Sequence, residues 1–281
     1  MAIDSLKATD GPGGRDNMFG ELIDSVSTDG SFTRSFNASI STGTLSLVIH
    51  VTGYNGLPND DAVAVSVYGA TMNPVPGPEA GSTMGSASTD KVRGPMWDGD
   101  DGWYAYPDWV SGGLSVDAGA NALPPPSFET QNAYVNAATL VAHFLSVDIG
   151  SGLHAVNVVM TATIVEAGGT WALRNGTIAG AIPLNNFLGI ASLIPDPNSP
   201  GAFLCTDSTA YGAYKSFLCS LGDIMQDYSS EPDTACDAVS VAWQFTADPA
   251  KLVGASYAPP PGVCKAATSP LNDTCDPPRD H

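Results

Sequence analysis

Two runs of alternating side chains constrain the fold of this chain more than any other feature. Residues 45–51 and 63–67 both place leucine or a β-branched residue at every second position. That repeat is the period of a β-strand with one buried face. The segment between them, residues 53–61, is dense in Gly, Asn and Asp, which favour turns. The pattern predicts an antiparallel hairpin around residues 53–61.

Further runs of the same kind predict a mainly β protein. Residues 139–147 and 154–166 flank a glycine-rich turn at 150–152, and residues 171–182 and 239–245 have strand-like composition. The segment 171–182 also contains an Asn175-Gly176 turn signal. Because no βαβ rhythm is present, we expect an antiparallel β-sandwich, jelly-roll-like in topology, with a small disulfide-tied helical C-terminal part.

Composition supports strands over helices. Only five of the 29 acidic residues are Glu, and Lys and Arg together number ten, so the usual side chains of exposed helix faces are scarce. Helical spacing appears at 184–194 and at 207–225, where Asp207 or Ser208 is a suitable N-cap. Residues 248–252 read as one short helical turn.

The chain divides into four parts by composition. Residues 1–18 are rich in Gly and Asp and predict a flexible lead-in, and residues 19–200 form the predicted sandwich body. Residues 201–258 should add a helix and a closing strand that cysteines brace to the body. Residues 259–281 form a Pro-rich tail.

The formal charge of −19 excludes one large class of partners. A surface this acidic repels nucleic-acid phosphates and anionic lipid, so no nucleic-acid partner is expected. No stretch of about 18 apolar residues occurs, so no membrane span is expected either.

Five cysteines, all in the last third of the chain, predict disulfides. They are Cys205, Cys219, Cys236, Cys264 and Cys275. None has the CxxC spacing of a zinc or redox site, so an oxidising compartment is the better interpretation. The odd number leaves at least one cysteine out. Short loops favour Cys264 with Cys275 and one pair among the other three, but spacing alone leaves the connectivity open.

The cysteines in turn predict where the protein resides. We expect an extracellular or cell-envelope location, because disulfides persist in oxidising environments. The first residues lack the basic and apolar regions of a signal peptide. An export signal is therefore expected to precede Met1 in the native protein.

One segment concentrates aromatic and acidic side chains, residues 95–109. Its three tryptophans could form a carbohydrate platform, because aromatic faces stack on sugar rings, or they could cover the end of the sandwich as core residues. The candidate ligand-binding residues are Trp97, Trp103 and Trp109.

Acidic residues in the same segment are candidate ligands for a hard cation. Asp98, Asp100 and Asp101 are spaced so that carboxylates could converge, and calcium is the expected ion. The segment lacks the twelve-residue EF-hand loop. Residues 59–61 are a second candidate, for which turn chemistry is the alternative interpretation.

No catalytic signature is present. The chain has no GxSxG, HExxH, Walker A or strand-bound GxGxxG motif, and its four histidines are scattered. No catalytic residue is therefore assigned. A pair of glycosidase carboxylates needs no motif, so that chemistry remains an alternative.

Several short segments resemble a family of uncharacterised secreted proteins and lipoproteins of myxobacterial type. The resemblance spans roughly residues 44–258 and implies an envelope or extracellular location, but no activity. The segments that carry it are residues 53–61, 95–99, 175–180, 236–240 and 248–252.

Together these patterns predict a secreted or cell-surface protein with a non-enzymatic binding or structural role. Its expected partner is a carbohydrate or another surface protein. Three alternatives stay open: a calcium-assisted carbohydrate-binding module, a glycoside hydrolase-like enzyme, and a self-assembling filament or surface-layer subunit.

Overall fold

The computed structural model of the protein describes residues 1–8, 17–26, 31–74, 94–110, 125–148, 154–167, 169–194, 196–199, 201–227, 236–256 and 264–275. Strands dominate these residues, which confirms the prediction of a mainly β protein. The strands are β1 (Ala2–Ala8), β2 (Ser46–Thr52), β3 (Asp60–Thr71), β4 (Gly102–Ala105), β5 (Phe128–Asn136), β6 (Thr139–Asp148), β7 (His154–Ala167), β8 (Thr170–Pro183), β9 (Ala238–Asp248) and β10 (Lys251–Ala255). The α-helices are α1 (Met18–Val26), α2 (Ser31–Ser41), α3 (Leu184–Phe187) and α4 (Tyr211–Leu218).

The strands form one sheet that closes on itself. Their order is β10-β4-β3-β2-β1-β9-β8-β7-β6-β5, and β5 pairs additionally with β3. That pairing makes a closed ring of eight strands, and every neighbouring pair in the ring is antiparallel. Strands β4 and β10 extend from the end of β3 as a short arm and pair in parallel. A sandwich requires two sheets, whereas the described strands pair into one.

The strands that alternation predicts are present with the expected partners. β2 and β3 pair from Ser46 opposite Ala70 to Thr52 opposite Ala64, so the first hairpin is confirmed. β6 and β7 form the second, although its turn at 150–152 lies outside the described residues. β9 pairs with both β8 and β1, which confirms a closing strand.

Two apolar clusters bury the two faces of β3. Val63, Val65 and Val67 belong to the main core, which draws residues from all the strands of the ring. Tyr68 and Ala70 belong to a smaller cluster that the arm covers. The arm thus completes the burial of a strand that would otherwise expose one apolar face.

The predicted flexible lead-in is wrong for its first half, because residues 2–8 form β1 in the middle of the sheet. β1 pairs with β9 along its whole length, from Ala2 opposite Asp248 to Ala8 opposite Trp243. On its other side the only Cα pair with β2 is Ala2 with Val48. The edge between β1 and β2 is therefore the least paired seam of the ring.

Two asparagine side chains replace missing strand partners at β1 and β9. The Asn37 amide on α2 accepts from the Leu6 backbone N–H and donates to the Leu6 carbonyl, at 3.0 and 2.9 Å. The Asn17 amide makes the same two kinds of bond with Ala242 of β9, beyond the point where β1 ends. Each amide satisfies a backbone N–H and C=O that lack a ladder partner there.

The helical predictions hold in part. Residues 184–194 are helical, as α3 and a following 3₁₀ segment, but α4 ends at Leu218 instead of continuing to 225. The chain leaves the helix because Ile224 forms a bridge with Ala238 at the start of β9. None of the described helices is long and apolar enough to span a membrane.

Two further local predictions are corrected. The 248–252 segment is no helical turn, because Lys251 begins β10. The Lys251 backbone N–H donates to the Asp101 carbonyl. The Asn175-Gly176 signal marks a bulge inside β8, with Asn175 at φ +49°, and the strand continues through it.

Two disulfides fasten residues 264–275 across the α4 region. They join Cys205 to Cys264 and Cys219 to Cys275, and Cys236 is a free thiol. The predicted Cys264–Cys275 bridge and the predicted pair among Cys205, Cys219 and Cys236 are therefore both wrong. Both cysteines face the α4 region, where the Thr206 N–H also donates to the Thr268 carbonyl. The remaining tail lies outside the described residues.

A polar cluster reinforces this covalent brace. Asp273 accepts hydrogen bonds from the Tyr211 hydroxyl at 3.0 Å and from Lys215 Nζ at 2.7 Å. Partial burial acts to raise the pKa of Asp273. The bonds from Lys215, from the Thr274 backbone and from Tyr211 outweigh burial and hold the pKa below its ordinary value. Burial and the neighbouring Asp273 raise the pKa of Tyr211.

Removing the Asn37 amide should weaken the contact between α2 and β1. Asn37→Ala leaves the Leu6 backbone groups without partners, so we expect a loss of about 1–3 kcal/mol in the free energy of unfolding, measured in urea. Asn132→Ala, on exposed β5 surface, is the matched control and should change the free energy by less than about 0.5 kcal/mol. Equal effects of the two variants would contradict the role given to Asn37.

The Asp273 cluster predicts a pH-dependent contribution to stability. A lowered carboxyl pKa stabilises the fold above the unfolded pKa of about 3.9, and this contribution disappears as the pH falls through the folded pKa. Asp273→Asn should therefore lower Tm at pH 7 and have a diminishing effect from pH 4 to pH 2. Differential scanning calorimetry with Asp207→Asn as exposed control checks this, and a constant difference across the range would contradict it.

Candidate binding rim

The three tryptophans of residues 95–109 are not brought together on the surface. Trp103 is fully buried in the cluster beneath the arm, and Trp109 is buried against Phe128, with ring centroids 5.1 Å apart. A Cβ at Gly69 would lie 2.4 Å from Trp109 Nε1, so the glycine makes room for the indole. Trp97 is half-buried with its ring 6.1 Å from that of Trp103. These rings pack the arm against β3.

The three neighbouring aspartates each have a partner within the protein. Asp101 is buried and accepts from the backbone N–H groups of Met96 and Trp97, at 3.0 and 2.7 Å. Asp98 accepts from the Asp100 N–H, and Asp100 binds Lys251 Nζ at 2.6 Å. The bond from Lys251 lowers the pKa of Asp100. Within the described ranges, no three His, Cys, Asp or Glu residues are grouped so as to hold a metal ion.

The bonds to Asp101 hold Trp97 in a strained conformation. Trp97 has φ +58°, in the left-handed region that non-glycine residues rarely occupy. The carboxylate accepts from the consecutive N–H groups of Met96 and Trp97 and so fixes the turn. Asp101 is therefore a structural residue of the arm.

Asp101→Asn should destabilise the protein while Asp98→Asn should not. Asparagine replaces one of the two acceptor oxygens by an NH₂ donor and removes the negative charge that strengthens both bonds, so we expect a loss of about 1–3 kcal/mol for Asp101→Asn by urea unfolding. Exposed Asp98 should contribute less than about 0.5 kcal/mol. The reverse order would contradict this assignment, and a rise in Tm of several degrees on adding calcium to the unmodified protein would show that the carboxylates rearrange around an ion.

Exposed apolar side chains gather instead at the end of the ring where the β2–β3 loop lies. We call Tyr54, Leu57 and Trp171 the aromatic rim. Leu57 is 59% exposed and Trp171 is 40% exposed. The rings of Tyr54 and Trp171 meet edge to face, with centroids 5.3 Å apart and planes at 73°. Tyr54 also packs against the main core, so the rim is anchored below.

Hydrogen bonds within the loop hold the rim in place. Asp60, which is buried, accepts from the Asn55 and Ala62 backbone N–H groups at 2.7 and 3.1 Å. The Asn55 side chain accepts from the Leu57 N–H at 2.8 Å. Gly56, at φ +80°, carries the backbone past the Trp171 ring, to which a Cβ would come within 3.6 Å. The Asn59-Asp60 pair thus serves the turn.

Contacts with the neighbouring turn make the rim part of the closed scaffold. The Ala138 N–H donates to the Pro58 carbonyl at 2.8 Å, and the Ala137 N–H donates to Asn59 Oδ1 at 3.0 Å. Burial, and secondarily the charge of Asp60, raise the pKa of Tyr54 above its ordinary value. The rim is therefore an uncharged aromatic surface on a fixed loop.

A polar cluster lies at the same end of the sheet. Asp248 ends β9, and Ala247 beside it pairs with Leu173, two residues from Trp171. The Asp4 carboxyl accepts from the Thr246 hydroxyl, and the neighbouring charge of Asp248 acts to raise its pKa.

Arg174 completes the cluster from β8. Its guanidinium donates to Asp248 and, through Nη1, to the Leu173 and Ala247 carbonyls at 3.0 Å each. Burial, followed by the hydrogen bond and charge of Asp248, raises the pKa of Asp4, and these effects outweigh the lowering by Thr246 and Arg174.

The sequence gives little warning of these residues. Trp171 follows a Gly-Gly turn at the first exposed positions of a strand, a weak signal for a surface aromatic. Asp4 lies in a segment with a single β-branched residue, Ile3, and its neighbour across the sheet, Asp248, is 244 positions away. Comparison of the chain with protein-family models, curated proteins and solved structures gave no match. The family resemblance of residues 44–258 stays a prediction.

Proposed function

We propose that this is an extracellular or cell-envelope binding protein that holds a neutral carbohydrate chain at the aromatic rim. The observation that carries the proposal is the pairing of a 40% exposed Trp171 with Tyr54 on a loop that hydrogen bonds hold rigid. A rigid platform loses little conformational entropy when a ligand binds, so its contact area contributes efficiently to affinity.

The chemistry of the rim favours sugars. Aromatic side chains combine a large apolar face with, in Tyr and Trp, a polar group that forms hydrogen bonds, and both features match a sugar ring. Glu166 lies opposite Trp171 across β7 and β8 and is exposed, so its carboxylate is placed to accept from ligand hydroxyls. The net charge of −19 repels sulfated or carboxylated glycans, which leaves neutral chains as the preferred ligands.

The two disulfides support the proposed compartment. Such bonds form and persist outside the reducing cytosol, at the cell surface or in the envelope. The side chains of Leu140, Met160 and Leu173 are fully buried and fill the main core. The main core is therefore not the proposed ligand site. Binding is accordingly assigned to the outer end of the ring.

Trp171→Ala should weaken carbohydrate binding without unfolding the protein. Titration of neutral cello-, manno-, xylo- and chito-oligosaccharides by calorimetry should give binding to at least one series, and Trp171→Ala should weaken it at least about tenfold, which is about 1.4 kcal/mol. Phe217→Ala is the matched control, because Phe217 is an aromatic residue of similar exposure on α4.

Two results would contradict the proposal. If none of the neutral oligosaccharide series binds, the proposal of a neutral carbohydrate ligand is contradicted. If the unmodified protein and the Trp171→Ala variant bind with equal affinity, the binding site is not the aromatic rim. Circular dichroism of each variant confirms that a loss of binding reflects the missing ring and not a lost fold.

A further inference from the structure

The bulge in β8 leaves one exposed residue outside both neighbouring ladders. On the β7 side the pairing passes directly from Arg174 to Thr177, and on the β9 side it passes from Leu173 to Gly176. Asn175 therefore has no Cα partner on either side, and its φ of +49° lies in the left-handed region. Within the part of the chain that the structure describes, no hydrogen bond involves its side-chain amide.

Core packing requires the next residue to be glycine. A Cβ at position 176 would lie 2.4 Å from the ring of Phe245, which is buried in the main core. Glycine in a strand commonly marks a bulge or a close approach of this kind. Gly176 therefore has no side chain to obstruct access to its own backbone nitrogen, and it follows an exposed asparagine.

We propose that Asn175 is a site of spontaneous modification, where the side-chain amide is lost by cyclisation onto Gly176. The Gly176 nitrogen attacks Asn175 Cγ, so that an N–Cγ bond forms, the Cγ–Nδ2 bond breaks, and the N–H proton leaves with the ammonia. Water then opens the cyclic imide at either carbonyl. The products are aspartate with the ordinary backbone, or isoaspartate, in which the backbone runs through the side chain.

The position of Asn175 in the sheet favours this reaction. Ring closure needs rotations of the backbone and of the side chain that bring the nitrogen and Cγ into contact, and such alignment governs the rates of intramolecular reactions. Inside a regular ladder these rotations would break backbone hydrogen bonds, whose loss is costly. Asn175 lies out of register on both sides, so the rotations disturb fewer contacts.

A second Asn-Gly link, Asn55-Gly56, provides a comparison within the same chain. Asn55 is also exposed, but its backbone N–H donates to Asp60 Oδ2 at 2.7 Å. Its side-chain Oδ1 accepts from the Leu57 N–H at 2.8 Å. Cyclisation at Asn55 would have to disturb these bonds, so we expect the loop to protect it while Asn175 reacts.

Modification adds charge to a defined place on the outer surface. Both products carry a carboxylate next in sequence to Arg174, which binds Asp248. Each modified molecule therefore has one more negative charge than the unmodified protein and separates from it by anion exchange. The inference goes beyond the proposed function and does not depend on it, because its readout is a covalent change on β8.

Peptide mapping of the full-length protein tests the proposal without any variant. The folded protein is incubated at neutral pH and physiological temperature and then digested with pepsin in acid, which suppresses further cyclisation. Mass spectrometry reports the loss of each amide, and electron-transfer fragmentation distinguishes isoaspartate from aspartate. Asn175 should react at least about tenfold faster than Asn55, a difference of about 1.36 kcal/mol in activation free energy.

The same measurement in urea separates the fold from the dipeptide. Both Asn-Gly links are then unrestrained, so their rates should converge. Asn175→Gln is the control variant, because the longer side chain closes its ring much more slowly. This variant should no longer form the more acidic species that arises from position 175, and its Asn55 should react at the unchanged rate.

Three results would overturn the proposal. The first is a rate at Asn55 equal to or above that at Asn175 in the folded protein. The second is a tenfold difference that persists in urea, which would assign it to the local sequence. The third is formation of the more acidic species by Asn175→Gln at the rate of the unmodified protein.

Discussion

Closure of the eight-stranded ring through β1 is the constraint on which the rest of this structure depends. β1 takes the place between β2 and β9, and without it both neighbours would expose an edge of unpaired N–H and C=O groups. Those groups are costly to bury without partners. The structure meets the cost in two ways, by the long β1–β9 ladder and by the Asn17 and Asn37 amides where that ladder or its β2 counterpart is incomplete.

The arrangement of the surface follows from the closed ring. Tyr54 follows β2 and Trp171 starts β8, two strands that are not neighbours, yet their rings meet, because closure brings the loops of one end together. The same closure places the Asp4–Asp248 pair at that end. Irregular positions in otherwise regular strands commonly occur beside functional sites, and both bulges that flank the end of β9 lie here.

Sequence patterns predict the elements of this fold better than their assembly. Period-two alternation identifies the β2–β3 and β6–β7 hairpins because each buries one face against a local partner. The same reasoning fails for β1, whose strand character comes from pairing with β9 more than 230 residues away. It also cannot distinguish a sandwich from a closed sheet, because that difference rests on the single additional pairing of β3 with β5.

Side-chain roles are predicted still less well, for a related reason. The sequence favours Trp103 as a surface-site residue and gives only a weak signal at Trp171, but the arm buries the first and the end of the ring exposes the second. The path of the tail across α4 determines which cysteines pair. The lengths of the loops between cysteines do not predict that path. Short-range signals therefore identify strands and turns, whereas exposure and pairing depend on contacts between distant segments.

Interstrand nuclear Overhauser effects test the closed ring most directly. In the deuterated, amide-protonated protein, closure through β1 predicts contacts of the β1 residues around Ala2 with both Val48 of β2 and Asp248 of β9. Closure on the other side predicts contacts between Val67 of β3 and Phe128 of β5. Observation of all three would support the ring. A spectrum in which β1 contacts one neighbour only, or in which β3 and β5 show no contact, would contradict it.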